Sequence, residues 1–106
     1  MKRVFLILGA IILILLSLIG WYVLLVQKPD VTLRARLKYN EAIARKIDLT
    51  NGPCLGKIAD DWVLDIAHIP REDVDNLPEN QCKDYRTGKV HHFVEMTPKG
   101  EIIVIQ

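Results

Sequence analysis

The chain has 106 residues and a formal net charge of +1, and half of its residues are hydrophobic. This balance, with no basic patch interleaved with aromatic residues, excludes the usual nucleic-acid-binding classes, so we expect no nucleic-acid partner. The sequence also contains no glycine-rich phosphate loop and no G-x-S-x-G motif, which excludes two familiar enzyme classes.

The first predicted element is a transmembrane helix. From Val4 to Val26 the chain has no charged residue, and a helix of this length measures about 35 Å, enough to cross a hydrocarbon layer of about 30 Å. A single segment can satisfy its backbone hydrogen bonds in lipid only as a helix. We therefore predict that residues 1–28 form a transmembrane signal anchor whose partner is the lipid bilayer.

A cleavable export signal is the alternative for the same segment. Lys2 and Arg3 form the basic start that such signals have, and Ser17 and Gly20 resemble a small-residue cleavage site. The apolar run, however, continues well beyond the roughly 7 to 15 residues of a signal core. Two basic residues precede the run and four follow it closely, a count that alone favours a cytoplasmic C-terminal side. A basic pair at the start is typical of a signal anchor, however, and the two cysteines favour export. We predict a single-pass protein of the cell membrane with an extracytoplasmic C-terminal domain.

Residues 29–106 are predicted to form one small domain with an uneven charge. The segment 28–46 has six basic and two acidic residues, a net charge of +4, whereas 48–79 has eight acidic and two basic residues, a net charge of −6. The basic segment next to the membrane has two interpretations. It is either a solvated helix face or a surface attracted to anionic lipid head groups.

The domain should begin with an amphipathic helix from Val31 to Leu49. Pro29 interrupts the preceding helix and Asp30 suits an N-cap, whereas Asn51, Gly52 and Pro53 suit a helix end. Glu41 and Arg45 have the i, i+4 spacing of a helical ion pair. The apolar positions near helical spacing are Leu33, Ala35, Leu37, Ala42, Ile43, Ala44 and Ile47.

The rest of the domain is predicted to be a small antiparallel sheet, which makes the fold class α+β. A strand at 61–67 should point Trp62, Leu64 and Ile66 inward and Asp61, Val63 and Asp65 outward. Residues 70–81 should be a loop anchored by Val74 and Leu77. Runs 90–96 and 101–105, separated by Thr97-Pro98-Lys99-Gly100, predict a C-terminal β-hairpin. The run 102–105 is apolar throughout, which favours a central strand or one covered on both faces.

Cys54 and Cys82 predict a disulfide in an exported domain, worth about 3 to 4 kcal/mol from loop entropy. In a reducing compartment they would be free thiols or metal ligands. With His68 and His91 or His92 they have the ligand types of a zinc site, although no second ligand lies nearby in sequence. A cysteine nucleophile with His92 as its base is a further alternative. We expect no catalytic residue, no cofactor and no metal.

In outline the chain resembles type IV pilins and pseudopilins. It shares with them a basic pair, a long apolar helix that leads into an amphipathic helix, and a small sheet with a disulfide near the carboxyl end. Those proteins are cleaved after a glycine and have a glutamate five residues into the mature apolar run. Here neither Gly9 nor Gly20 is followed by an acidic residue. The resemblance implies a filament subunit, and the missing acid departs from that pattern.

The function predicted from sequence is a non-catalytic interaction or assembly module of the cell envelope. Its partner would be another envelope protein, and homo-oligomerisation is left open. The alternatives are a pilin-like or pseudopilin-like filament subunit and a zinc-binding or Cys/His-dependent membrane-anchored enzyme. The predicted interaction surface consists of Glu72, Asp73, Asp75, His91 and Glu95.

Overall fold

The first element of the computed structural model, which describes residues 1–26 and 30–106, is the helix α1, Lys2–Val26. None of its residues is buried against the rest of the protein, and it is long and apolar enough to cross a membrane or to act as an export signal. The predicted long apolar helix is thus confirmed. The helix break predicted at Pro29 and the domain boundary at residue 28 lie outside the described residues.

The second helix, α2, spans Val31–Ala44 and begins as predicted. The side chain of Asp30 caps it by accepting a hydrogen bond from the Leu33 backbone N–H at 3.1 Å. Glu41 and Arg45 form the expected i, i+4 pair, with 3.4 Å between Oε1 and a guanidinium nitrogen. The sequence pattern therefore locates the start of the helix and one of its surface ion pairs correctly.

The predicted end of α2 at Leu49 is wrong, because a C-cap motif ends the helix at Ala44. The backbone of Lys46 has a φ of +56°, and the N–H groups of Lys46 and Ile47 donate to the carbonyls of Ile43 and Ala42 at 3.0 Å each. This is the Schellman arrangement, in which glycine usually occupies the left-handed position. A lysine there gives no sequence signal of a helix end.

Four strands form one sheet: β1 Cys54–Ala59, β2 Trp62–Ile66, β3 His92–Met96 and β4 Ile102–Ile105. They lie in sequence order, with β1 antiparallel to β2, β2 parallel to β3, and β3 antiparallel to β4. The sheet is therefore mixed, and the prediction of an antiparallel sheet needs this correction. The cause is the crossover from β2 to β3, which contains 3₁₀ turns at Asp73–Asn76 and Pro78–Asn80 and the short helix α3, Lys83–Arg86.

The core lies between α2 and one face of the sheet. Leu64 and Ile66 of β2 and Val94 and Met96 of β3 are fully buried there, together with Ala35 and Ala42 of α2. The helix thus packs through alanines, whose short side chains let it approach the sheet closely. The predicted apolar face was partly wrong, since Leu33 and Leu37 are 53% and 59% exposed.

The C-terminal hairpin is confirmed. The Gly100 N–H donates to the Thr97 carbonyl at 2.9 Å, and Gly100 has a φ of +91°, as in a type I turn followed by a left-handed residue. The Tyr39 hydroxyl donates to the Pro98 carbonyl at 2.9 Å and so ties α2 to this turn. Within the described residues β4 neighbours only β3, so it is an edge strand, and the first of the two predicted alternatives, a central position, is wrong. Ile102, Ile103 and Val104 are half-buried and Ile105 is exposed.

Candidate binding cleft and sheet edge

A cleft of about 320 Å³ lies on the face of the sheet that does not contact α2. Successive side chains on a strand point to opposite faces, so Phe93 and Glu95 lie here while Val94 and Met96 enter the core. The helix α3 and the loop that precedes it form the other walls. The lining residues are Asp65, Arg71, Gln81, Cys82, Tyr85, Arg86, Phe93, Glu95, Val104 and Gln106.

The predicted disulfide between Cys54 and Cys82 is present, and the two Cα atoms are 4.9 Å apart. It joins the start of β1 to the residue that precedes α3, and therefore holds α3 against this face of the sheet. Val63, which we predicted to point outward to solvent, is buried beneath this bonded segment. Because both sulfurs are in the disulfide, a zinc site or a thiolate nucleophile would first require its reduction.

Asp65 is the most perturbed ionisable group of the cleft. Burial, followed by the neighbouring charge of Glu95, raises the pKa of Asp65 to about 7, although a backbone hydrogen bond from Ile66 and the charge of Arg71 oppose the shift. Its Oδ1 atom is buried without a hydrogen-bond partner among the described residues. An unpaired buried acceptor is costly when it is ionised, and protonation of the carboxyl, which the raised pKa favours, reduces this cost.

The other polar groups of the cleft surround an aromatic pair. The rings of Tyr85 and Phe93 meet edge to face, with centroids 4.8 Å apart. Arg71 binds Glu95 at 3.2 Å, and only 12% of the Glu95 side chain is exposed. Arg86 is exposed, and no described carboxylate lies within 4 Å of its guanidinium. The cleft therefore combines an apolar wall with one positive charge, Arg86, that is not paired with any carboxylate in the described part of the chain, a composition suited to binding.

The edge strand β4 borders this cleft through Val104 and Gln106. Phe93 and Gln106 exchange two backbone hydrogen bonds of 2.8 and 3.0 Å. In an antiparallel pair, hydrogen-bonded positions alternate with positions that face outward. Ile105, the residue before Gln106, therefore points its N–H and C=O away from the partner strand. All four residues of β4 are uncharged and apolar, and a bulge leaves Ile103 outside the pairing register.

The opposite edge of the sheet is protected in the way that edge strands usually are. Two register shifts interrupt the pairing of β1 with β2, Gly56 has a φ of +94°, and Lys57 is exposed. Bulges and lysines at an edge discourage the addition of another strand. Both edges of the described sheet carry a bulge, but only β1 also carries a charged residue, so β4 is the more open of the two to pairing.

Asp75, one of the five predicted surface residues, is instead buried, with 1% of its surface exposed. Its carboxylate accepts hydrogen bonds from the backbone N–H of His68 and of Glu72, at 2.9 and 3.0 Å, and from Nδ1 of His68 at 2.8 Å. Burial alone would raise the pKa of Asp75, but these three hydrogen bonds outweigh it and lower the pKa. Asp75 anchors the loop, whereas of the two predicted anchors Val74 is half-buried and Leu77 is exposed.

The remaining predicted surface residues lie in different environments. Glu72 and Asp73 are exposed on the loop, and Glu95 lies in the cleft. His91 is exposed, and its Nδ1 lies 2.8 Å from Asp61 Oδ1; the hydrogen bond to this side chain lowers the pKa of Asp61. Their role in an interaction stays a prediction.

Among the described residues, the one cluster of potential metal ligands consists of Cys54, Asp65 and Cys82. It contains no histidine, and both of its cysteines are in the disulfide. His68 is hydrogen-bonded to Asp75. The histidines predicted as zinc ligands therefore do not join the cysteines in one site.

The sequence interpretation missed Tyr85, Arg86 and Phe93 as cleft residues. Alternation along the strands could have grouped Asp65 with Phe93 and Glu95 on one face. The position of α3 over that face depends on the disulfide, which was predicted, and on the parallel crossover, which has no local signal.

Comparison of the chain with protein-family models, with curated proteins and with solved structures finds no significant match.

Proposed function

We propose that the chain is a single-pass, membrane-anchored interaction module of the cell envelope. In this proposal α1 holds the protein in the membrane and the disulfide-bonded domain lies outside the cytoplasm. An extended segment of another envelope protein pairs with β4 as a fifth strand and places a side chain in the adjoining cleft.

The observation that carries this proposal is an edge strand without a charged residue beside a lined cleft. In strand addition, main-chain hydrogen bonds supply affinity and pockets for alternate side chains supply specificity. Ile105 offers the outward backbone groups, and Val104 brings the edge to the cleft. Both parts of this recognition mode thus occur side by side in one small domain.

The cleft also indicates what the bound segment should contain. An apolar or aromatic side chain would pack on Tyr85 and Phe93. An acidic group would pair with the exposed Arg86. The proposed partner is therefore a mixed apolar and polar strand rather than a small charged molecule.

The alternatives make different demands on the molecule. A zinc protein or a cysteine enzyme would need the Cys54–Cys82 disulfide to be reduced. A pilin-like subunit would assemble with copies of itself into filaments. A non-catalytic module needs neither reduction of the disulfide nor assembly into filaments, and it can act with the Cys54–Cys82 bond intact.

Photo-crosslinking in intact cells tests the proposal. A photoreactive phenylalanine replaces Tyr85, an aromatic exchange in the cleft, and the same residue at the exposed position Lys89 serves as a control. We expect one discrete adduct from position 85 and none from position 89. Ile105→Lys in the same chain should abolish the adduct by charging the edge, and Ile69→Lys, an exposed isoleucine outside β4, should leave it intact.

The other outcomes contradict the proposal. An adduct that persists with Ile105→Lys, or no adduct from position 85, would exclude strand addition at β4. A ladder of multiples of the chain mass would favour the pilin-like alternative, which electron microscopy of filaments would then establish.

A further inference from the structure

The helix α2 has a second apolar side that faces away from the sheet. Leu33, Leu37 and Ala44 follow one another at spacings of four and seven residues and therefore lie on one side of the helix, together with the exposed polar residue Asn40. Ala35 and Ala42, which enter the core, lie on the opposite side. Leu33 and Leu37 are both more than half exposed, and Ala44 is also exposed. Within the described chain, nothing covers this stripe.

Basic residues flank the exposed stripe on both sides. Arg36 lies on one side, and Arg34 and Arg45 lie on the other, as the helical repeat requires. Arg36, and Lys46 just after the end of the helix, have no described carboxylate within 4 Å, so their charges are free to bind an anion. Arg34 reaches back to the carbonyl of Ile58 at 3.4 Å, and Arg45 is paired with Glu41.

The distance along the chain from α1 limits where α2 can lie. Between Val26, the last residue of α1, and Val31, the first of α2, there are four residues. Even fully extended, this connection spans about 18 Å. The head-group region is about 5 to 8 Å thick on each side of the hydrocarbon. If α1 crosses the membrane and ends at the hydrocarbon boundary, the start of α2 must therefore lie in the head groups or no more than about 13 Å beyond them.

We infer that α2 lies on the membrane surface, with Leu33, Leu37 and Ala44 in the interface and Arg36 and Lys46 bound to anionic lipid head groups. The inference rests on the proposed membrane anchoring by α1. An apolar stripe flanked by arginine and lysine is the composition of helices that lie in the interface plane. The domain would thus be oriented by two contacts, α1 through the membrane and α2 along it, and the cleft would lie on the face of the sheet that does not contact α2.

Depth-dependent fluorescence quenching tests this inference on the full chain in vesicles. Because both native cysteines are in the disulfide, one added cysteine can be labelled selectively with an environment-sensitive dye. The labelled variants are Leu37→Cys on the stripe, Lys89→Cys as an exposed control, and Ile14→Cys in the middle of α1. The vesicles contain zwitterionic phospholipid with or without an anionic phosphoglyceride, and lipids with quenchers at known depths.

We expect shallow quenchers to reduce the emission of the position-37 label at least about twofold more than that of the position-89 label. The difference should shrink without anionic lipid, at high salt, and in the Arg36→Gln/Lys46→Gln variant, because head-group attraction is screened and charge-dependent. Equal quenching at positions 37 and 89 would overturn the inference. The position-14 label separates the two claims: if deep quenchers do not reach it, the anchor itself is wrong.

Discussion

The Nδ1 atom of His68 lies 2.8 Å from Oδ1 of Asp75, a carboxylate that is almost completely buried. Since an ionised carboxylate only accepts hydrogen bonds, His68 donates from Nδ1. The pair holds the start of the loop that contains Arg71, whose guanidinium also reaches the Asp75 carbonyl at 3.5 Å. A buried charge thus positions one wall of the cleft.

Replacing this carboxylate should destabilise the domain. Asp75→Asn keeps the size but puts an amide N–H₂ where a carboxylate oxygen accepts hydrogen bonds. We expect a loss of about 2 to 3 kcal/mol in the free energy of unfolding, measured by urea denaturation in detergent. The exposed neighbour Asp73→Asn is the matched control and should change stability by less than about 0.5 kcal/mol. Equal effects of the two substitutions would show that Asp75 does not anchor the loop.

Asp75 should also make the domain sensitive to acid. Its pKa is lower in the folded state than the ordinary value of about 3.9. The stability from the carboxylate is therefore complete above about pH 4 and is lost as the pH falls through the lower folded-state pKa. Between pH 2 and pH 5 the free energy of unfolding should change less steeply with pH in Asp75→Asn than in the unsubstituted protein. An unchanged pH slope would contradict the lowered pKa.

A β-carbon at Gly52 should collide with the same carboxylate. Gly52 has a φ of +64°, and an added Cβ would overlap Oδ1 of Asp75 and lie 2.9 Å from the Ile66 carbonyl oxygen. Gly88 has a φ of +77° but no atom within 4 Å of its added Cβ. Both alanine variants incur backbone strain of about 1 kcal/mol, so the excess loss in Gly52→Ala, expected at about 2 kcal/mol, measures the collision. Equal melting temperatures of the two variants would exclude it.

Asp65 should have the opposite pH dependence from Asp75. Its pKa is about 7 in the folded protein and about 3.9 in the unfolded chain. Between these values the folded state binds more protons, so stability falls as the pH rises from about 4 to about 7 and then levels off. Asp65→Asn should remove this fall and be the more stable protein at pH 8. A variant less stable than the original at pH 8 would show that the carboxylate is favourable there.

Loss of the disulfide should affect both stability and the cleft. Closing a loop of 28 residues is worth about 3 to 4 kcal/mol by chain entropy, so Cys54→Ser/Cys82→Ser should lower the midpoint of urea unfolding accordingly. The bond also holds α3, so the Tyr85 crosslink should weaken in this variant even below its unfolding temperature. A full crosslink yield would show that α3 stays in place without the bond.

The elements with local signals are the ones that the sequence predicts well. A charge-free run is enough to predict α1, and an aspartate after a proline is enough to predict the start of α2. Pro98 and Gly100 are enough to predict the hairpin turn. The cysteines could be paired because the sequence contains only two. Each of these features depends on residues close together in the chain or on simple counting.

The features that were missed depend on tertiary contacts. Nothing local distinguishes the alanine side of α2, which packs on the sheet, from its leucine side, which does not. The burial of Asp75 depends on hydrogen bonds from His68 and Glu72 that form only when the loop folds back. The parallel pairing of β2 with β3 places Trp62 opposite His92, which lies 30 residues later in the sequence.

The central claim is that the domain is anchored in the membrane with its disulfide outside the cytoplasm. Thiol labelling of intact cells tests it most directly, with a membrane-impermeant maleimide that increases the mass of the chain. We expect no shift before reduction, and a shift of the chain after treatment with an impermeant reductant, with Cys54, the more exposed cysteine, reacting first. Labelling that requires no reductant, or that appears only after the membrane is dissolved, would contradict this claim.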